Sequence, residues 1–470
     1  MSANAYPSKT FFVDMLTRDI ELKDAILDLL DNCVDGILRE QKHKAPKNPK
    51  LPYDGYWAKL EVSPKFFSIE DNCGGISKDI AEKSAFRLGR ADLGRDEDLA
   101  TVGMYGIGMK RAIFKMGRKA QVISKHKKDT YRVTIPSKWL KDDNDWELPL
   151  EDMPADSLEN DGTRIVVETL YDNIERQLDG KDFEKDLYDD ISNFFALIMM
   201  KGFKVLLNER EIPLADFRLL FSSDFDTPNQ IQPYAYRAKI NDVAIEMVIG
   251  FYRGLASVSE AEKDEEAEKN LPSRKSDNAG WTVICNDRVI LYRDKTRMTG
   301  WGVRDVPKYH TQFVAISGVI RFTSTNSLNL PLGTTKTQLD TSSPVYERAL
   351  ERMMDGLKKF TSFTNKWKGL ERETAETFNK MESVDSSVIV KNIPAPKWTK
   401  VRGAQGDEEK FIPDLPEPPK ASSLRRIAFY KLLSEIDELK DYFFGESEAT
   451  SSEIGERSFD EALKIARGDK

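Results

Sequence analysis

The sequence predicts an α/β protein, a sandwich of mixed sheets and helices spread over more than one domain, and three observations predict it. β-Branched runs such as "QVISKH", "YRVTIP" and "TRIVVETL" alternate with stretches of helical periodicity. The 470 residues exceed what one core holds, so about two or three domains are expected. The balance of 40% hydrophobic to 32% charged residues belongs to a globular chain that buries a core and shows water a charged surface.

The first informative element is "ILDLLDNCVDGIL", Ile26 to Leu38. On a helix turning about 100° per residue, Asp24, Asp28, Asp31, Asn32 and Asp35 fall in a stripe roughly 100° wide. Apolar side chains fill most of the remaining circumference, the reverse of an ordinary surface helix. Such a helix is buried on most sides, and its polar stripe meets either water at a cleft or a ligand, because buried carboxylates need a cation or hydrogen-bond donors. On this segment alone, solvated acids at the rim of a half-buried helix explain the pattern equally simply.

Next comes "FSIEDNCGGIS", a short strand running into a glycine turn. Asp71 ends the strand, and Gly74–Gly75 permit a tight turn with close backbone approach. By itself this is an everyday Asp-Asn turn. Then "TVGMYGIGMKRAIFKMG" sets Gly103, Gly106 and Gly108 before a helix with Lys110 and Arg111 in its first turn. Glycine-freed amides at a helix N-terminus make a phosphate cradle. It is not a Walker A loop, since "MKR" follows Gly108, and it lacks the third glycine of a dinucleotide fingerprint. The helix "FEKDLYDDISNFFALIMM" closes a first region, 1–200.

Residues 201–342 read as a second, mixed α/β region with strand candidates "FKVLLNERE", "YRAKIN", "AIEMVIGFYR", "WTVICNDRVILY" and "FVAISGVIRF". Inside it, "SEAEKDEEAEKNLPSRKSDNAG" reads as a flexible charged loop. A helical segment (343–380), a proline-containing linker (381–420) and a small helical module (421–470) follow. A capping box of Ser458 with Glu461 is expected to open the last helix. Internal repeats are absent.

Composition also excludes function classes. No apolar run reaches the length of a membrane span, and "MSANAYPSKTFF" lacks a signal-peptide pattern, so a cytoplasmic location is expected. Cys33, Cys73 and Cys285 form no CxxC pair and no zinc set with His43, His126 and His310, and histidine-centred catalysis lacks a constellation. The net charge of -8 argues against a protein that coats nucleic acid. Basic stretches at 41–50, 118–128 and 391–403 keep local DNA contact open, with Trp398 available to stack. Trp281, Trp301 and His310 read as core or dimer-surface residues rather than ligands.

The order of acid/amide helix, Asp-Gly turn, glycine loop and "DGTRIVVE" resembles the gyrase, chaperone, histidine-kinase and MutL (GHKL) ATPase superfamily, most closely its Microrchidia-like and related prokaryotic members. The four motifs span roughly residues 21–168 and are far more specific together than singly. The likeness extends to "NLPLGTTKTQLD", similar to the loop of a transducer domain. It implies a Bergerat-type ATP-binding domain, a mixed α/β transducer domain and a mainly helical C-terminal extension. Asn32 matches the asparagine that holds Mg²⁺ against the phosphates, its amide oxygen being a hard ligand suited to that ion. Asp71 matches the carboxylate that accepts from the adenine amino group, with Gly75 beside the base and Thr163 supporting it through water. Ile76 and Met109 join the nucleotide contacts. Gly103, Gly106 and Gly108 match the loop over the phosphates, where Lys110 adds charge, and Lys336 matches the transducer lysine that reaches the γ-phosphate. Asp28, Asn32 and Asp35 then line an ATP–Mg²⁺ pocket, and 82–102 is the lid.

Two positions depart from the family pattern. Asp28 stands where a glutamate general base is usual; one methylene shorter, it is a slow base, a base of altered geometry or an electrostatic neighbour. Cys73 replaces a glycine, a loss that Gly74 makes good. By resemblance the chain is a nucleotide-dependent homodimer in which ATP closes a clamp and slow hydrolysis reopens it, and a sensor histidine kinase is unlike it. Two readings stay open: a clamp on DNA, in genome maintenance or defence against foreign DNA, and a hydrolysis-poor, nucleotide-gated scaffold or chaperone-like protein.

Overall fold

The computed structural model describes residues 8–89, 96, 98–103, 106–143, 145–256, 278–333, 336, 338–370, 375, 377–402, 407–418, 427–445 and 447–468. The expected charged loop falls almost entirely outside them, as do part of the expected lid (90–95 and 97) and the neighbours of Lys336 at 334, 335 and 337.

Helices α1 (Lys9–Arg18) and α2 (Leu22–Gln41) open the chain. Twelve of the 20 residues of α2 are buried, among them Asp28, Asp31 and Asp35. Strands β1 (Trp57–Val62), β2 (Phe67–Asp71), β3 (Gly117–His126), β4 (Asp129–Ile135), β5 (Leu150–Asp152), β6 (Gly162–Leu170), β7 (Lys204–Leu207) and β8 (Arg210–Glu211) form one sheet ordered β5-β4-β3-β6-β2-β1-β7-β8. Its pairs are antiparallel except β1 with β7. Alternation in β3 sends Ala120 and Val122 inward, where they share a core with Ile26, Leu30, Val34 and Ile37 of α2 and with Ile69 and Val167. Each buried Val, Leu or Ile contributes about 1.5–3 kcal/mol, so the core fixes α2 and leaves its polar stripe toward the pocket. Helices α3 (Lys78–Ile80), α4 (Gly108–Met116), α5 (Asp172–Leu178), α6 (Lys181–Phe194) and α7 (Ala196–Met200) complete the domain; the single helix expected over "FEKDLYDDISNFFALIMM" breaks at Phe195. The first sheet runs on to Glu211, past the expected limit at 200.

The second domain starts with β9 (Arg218–Phe221) and builds a sheet from β10 (Tyr234–Ile240), β11 (Val243–Phe251), β12 (Gly280–Cys285), β13 (Arg288–Asp294) and β14 (Ile316–Thr323). "WTVICNDRVILY" is therefore a hairpin rather than one strand, turning on Asn286 and Asp287 at φ 47° and 68°, the left-handed pair that a two-residue hairpin turn requires. Helix α8 (Pro344–Lys366) packs on this sheet, with Phe360 edge-on to Phe251 at 5.0 Å between ring centres.

The segment expected as a linker is structured instead. β15 (Glu382–Asp385) pairs with β9, α9 (Ser386–Asn392) follows, and β16 (Thr399–Lys400) and β17 (Glu409–Phe411) extend the second sheet to the order β13-β12-β14-β11-β10-β17-β16. Proline-rich composition hid these short strands. Trp398 is buried, with the Arg237 guanidinium 4.3 Å above its ring and its indole N–H donating to the Ile393 carbonyl at 3.3 Å. It is a core residue, not a stacking platform. Trp281 and Trp301 are core residues as well, while His310 is exposed and caps a short 3₁₀ turn. A helical pair, α10 (Leu433–Phe444) and α11 (Ser451–Arg467), ends the chain. The capping box of α11 is Thr450 with Glu453; Ser458 lies inside the helix and donates to the Ile454 carbonyl at 2.7 Å. The expected signal was of the right kind and one turn or more too late.

Candidate functional site

A pocket opens between α2, the turn after β2, the glycine loop, α4 and the loop of Lys336. It brings together every residue that the resemblance assigned to the ATP site: Asp28, Asn32, Asp35, Asp71, Gly75, Ile76, Gly103, Gly106, Gly108, Met109, Lys110, Thr163 and Lys336.

At one end lies Asp71. Its carboxylate accepts from the Cys73 amide at 2.8 Å and faces the Cys33 thiol at 3.6 Å. Burial pushes it up to about 6, against the help of those donors and the Thr163 amide. Gly75 takes φ +66°, and a side chain there would overlap the Lys125 carbonyl oxygen; only glycine fits this approach. Ile76 donates its amide to Ser124 Oγ at 2.8 Å and accepts from the Tyr131 hydroxyl at 2.9 Å. Ser124 also lies 3.2 Å from the Thr163 hydroxyl, so one hydroxyl cluster ties β3, β6 and the glycine turn together.

At the other end α2 shows its polar stripe. Asn32 is exposed among buried neighbours, and its amide makes no hydrogen bond to any described residue. Asp35 accepts from the amides of Val102 (3.1 Å) and Gly103 (3.0 Å), anchoring the start of the glycine loop; burial raises its pKa. Lys110 donates to the Ala85 carbonyl at 2.8 Å and to that of Gly106, joining the segment after α3 to the loop, and burial lowers it to about 8.

Asp28 is held on both oxygens. Oδ2 pairs with the Arg111 guanidinium and Oδ1 with Lys336 at 3.2 Å. Burial opposes its charge, but Lys336 and Arg111 outweigh burial and hold the carboxyl below its ordinary value. Lys336 sits at φ +54° and also pairs with Asp31 at 3.0 Å. Burial opposes its charge too, yet Asp31, Asp28 and Asp35 prevail and raise it.

Several site residues escaped sequence reasoning. Asp31 lay in the polar stripe without an assigned part, and Arg111 was visible in the first turn of α4. Arg39 holds Asp96 through two hydrogen bonds of 2.8 and 3.0 Å, and Arg288 of the second domain donates to Asp31 at 2.9 Å. Neither arginine has a local sequence signal.

Residues 20–166 match the family of histidine kinase-, DNA gyrase B- and HSP90-like ATPases. This is a GHKL-type ATPase domain. The GHKL domain makes the chain an ATP-binding and ATP-hydrolysing protein, and the sheet with α2 and α4 on one face is its Bergerat-type fold. Among curated proteins the chain finds no match. GHKL domains bind ATP with Mg²⁺, and the pocket fits that ion: the Asn32 side chain offers one hard oxygen donor that no described residue engages. Among the described residues no group of three His, Cys, Asp or Glu could hold a metal by itself. No described helix is long and apolar enough to cross a membrane.

Proposed function

We propose that the chain is a nucleotide-driven switch in which the second domain, a transducer, reads the state of the ATP pocket through Lys336. The observation that carries this reading is the placement of Lys336, a second-domain side chain, on Asp28 and Asp31 inside the first domain's pocket. Asp71 takes the adenine amino group, with Gly75, Ile76 and Thr163 around the base. Gly103, Gly106, Gly108, Met109 and Lys110 surround the phosphates. Asn32 holds Mg²⁺, which when bound neutralises phosphate charge. Lys336 turns to the γ-phosphate.

In hydrolysis a water oxygen bonds to the γ-phosphorus, the bond from that phosphorus to the β–γ bridging oxygen breaks, and ADP leaves with the electron pair. The water proton passes to Oδ1 of Asp28. A carboxylate tied to two cations is a weak base, so turnover is slow. Lid closure by 82–102 and ATP-dependent homodimerisation make the switch a clamp.

In the first reading this clamp acts on DNA, in genome maintenance or in defence against foreign DNA, and the exposed basic stretch at 41–50 supports it. The second reading, a hydrolysis-poor nucleotide-gated scaffold, draws support from the ion-paired state of Asp28. Mg²⁺-dependent ATP turnover by wild type and Asp28→Ala, with oligomeric state measured by light scattering in a non-hydrolysable analogue, tests the switch. Turnover lost in Asp28→Ala and a dimer formed with the analogue are expected; a chain that stays monomeric with the analogue overturns the clamp. Binding to duplex DNA that weakens steeply with salt separates the two readings.

A further inference from the structure

Asp28 is boxed in from three sides. Gly108 lies so close that a Cβ on it would be 3.5–3.6 Å from the Asp28 carboxyl and its Cβ. Arg111, one turn further along α4, pairs with Oδ2, and Lys336 pairs with Oδ1. The two cations differ in what holds them. Arg111 rises from a helix packed into the first-domain core and is almost wholly buried. Lys336 belongs to the second domain and has Asp31 as another partner. Arg111 meets the carboxylate at one oxygen, Oδ2, from a buried helix that keeps the guanidinium in place, whereas an ammonium is a point charge that exchanges partners readily.

Resting on the reading of Asp28 as the base, we infer that Arg111 is its positioning residue: it holds Oδ2 so that Oδ1, paired with Lys336 in this structure, faces the attacking water once Lys336 has moved to the γ-phosphate. This accounts for a base one methylene short of glutamate. A short, free carboxylate on α2 samples several orientations; a carboxylate anchored at Oδ2 keeps one. The proton from water then has one acceptor, Oδ1, and Arg111 neither gains nor loses a proton. The Arg111 Nε, buried and without an acceptor among the described residues, is the one feature that points elsewhere, to a phosphate oxygen as its partner. The experiment distinguishes the two.

The test is single-turnover and steady-state ATP hydrolysis with Mg²⁺ by the full chain, alongside affinity for a non-hydrolysable ATP analogue. Arg111→Ala is expected to lower kcat about 100-fold, the scale of a misplaced catalytic group, while KM and analogue affinity stay within about threefold of wild type. Arg111→Lys is expected to restore kcat to within about tenfold of wild type. In an Asp28→Ala background, Arg111→Ala is expected to leave the residual rate unchanged, because nothing remains to position. A raised KM at unchanged kcat would make Arg111 a phosphate ligand and overturn the inference. So would an unchanged kcat in Arg111→Ala beside an inactive Asp28→Ala. If Asp28→Ala itself retains the wild-type kcat, the base reading fails, a separate result. Arg111→Met, which keeps the stem's volume, replaces the alanine variant if that one does not fold.

Discussion

Replacing Arg288 by alanine probes the joint between the two domains. Arg288 begins β13, directly after the turn of the β12–β13 hairpin, and that tip is inserted into the first domain. Asn286 donates to the Thr101 carbonyl at 3.0 Å, Asp287 accepts from Lys201 at 2.7 Å and from the Tyr53 hydroxyl at 2.9 Å, and Arg288 reaches Asp31 at 2.9 Å. The Arg288 and Asp31 side chains are 1% and 2% exposed, so water does not screen the pair. Its guanidinium also donates to the carbonyls of Phe194 (3.1 Å) and Val289 (2.7 Å) and stands 4.4 Å over the Phe195 ring. Removing one member of a buried pair costs about 3–5 kcal/mol. Lys336 still faces Asp31, which places the loss toward the lower end. For a domain of this size about 3 kcal/mol corresponds to a fall in Tm of roughly 6–12 °C. Differential scanning calorimetry of wild type, Arg288→Ala, Asp31→Ala and the double variant gives both the loss and the coupling. A change under about 1 °C for Arg288→Ala, or additive single effects, would show that the domains are not joined through this pair.

Two further outcomes are expected. Because burial holds Asp71 up to about 6, its folding contribution is fully present below the ordinary value of 3.8 and is lost as pH rises through about 6, while on the proposed reading adenine recognition by Asp71 needs the charged form and fails in the opposite direction. ATP affinity by calorimetry is therefore expected to fall roughly tenfold from pH 7 to pH 5, and Asp71→Asn to bind poorly at both; a flat wild-type profile contradicts the assignment of Asp71. A Cβ at Gly162 would overlap the Asp71 carbonyl oxygen and lie 2.8 Å from its carbon, so Gly162→Ala is expected to strain the site by about 1–3 kcal/mol and to weaken ATP binding roughly 5- to 150-fold. Wild-type affinity would mean that the turn yields without disturbing Asp71.

That the residues assigned to the ATP site would meet in one pocket was legible in the sequence because its parts are local motifs. The acid/amide stripe of α2, the glycine turn at 74–75 and the glycine loop before α4 each have a spacing that backbone geometry imposes, and their order joined them. Partnerships across the chain were not legible. Nothing near Arg288 announces Asp31, and nothing near Arg39 announces Asp96, 57 positions further along the chain. The strands at 399–400 and 409–411 were missed because strands of two or three residues carry little periodicity and the prolines around them mask them. The hairpin at 286–287 was missed for a different reason: Asn-Asp lacks the glycine that makes such turns conspicuous, although both residues accept a positive φ.

The pairings at Asp28 and Asp31 bear on charge balance. Two carboxylates face three cations, Arg111, Arg288 and Lys336. Each carboxylate has an arginine of its own and shares the lysine with its neighbour. On the proposed reading, withdrawal of Lys336 toward an incoming phosphate leaves neither acid as an orphan in low dielectric, so the move avoids the penalty that normally attends opening a buried ion pair. On that reading the lysine, shared by both acids where each arginine serves one, is the cation held in reserve for an anion that the protein itself does not supply.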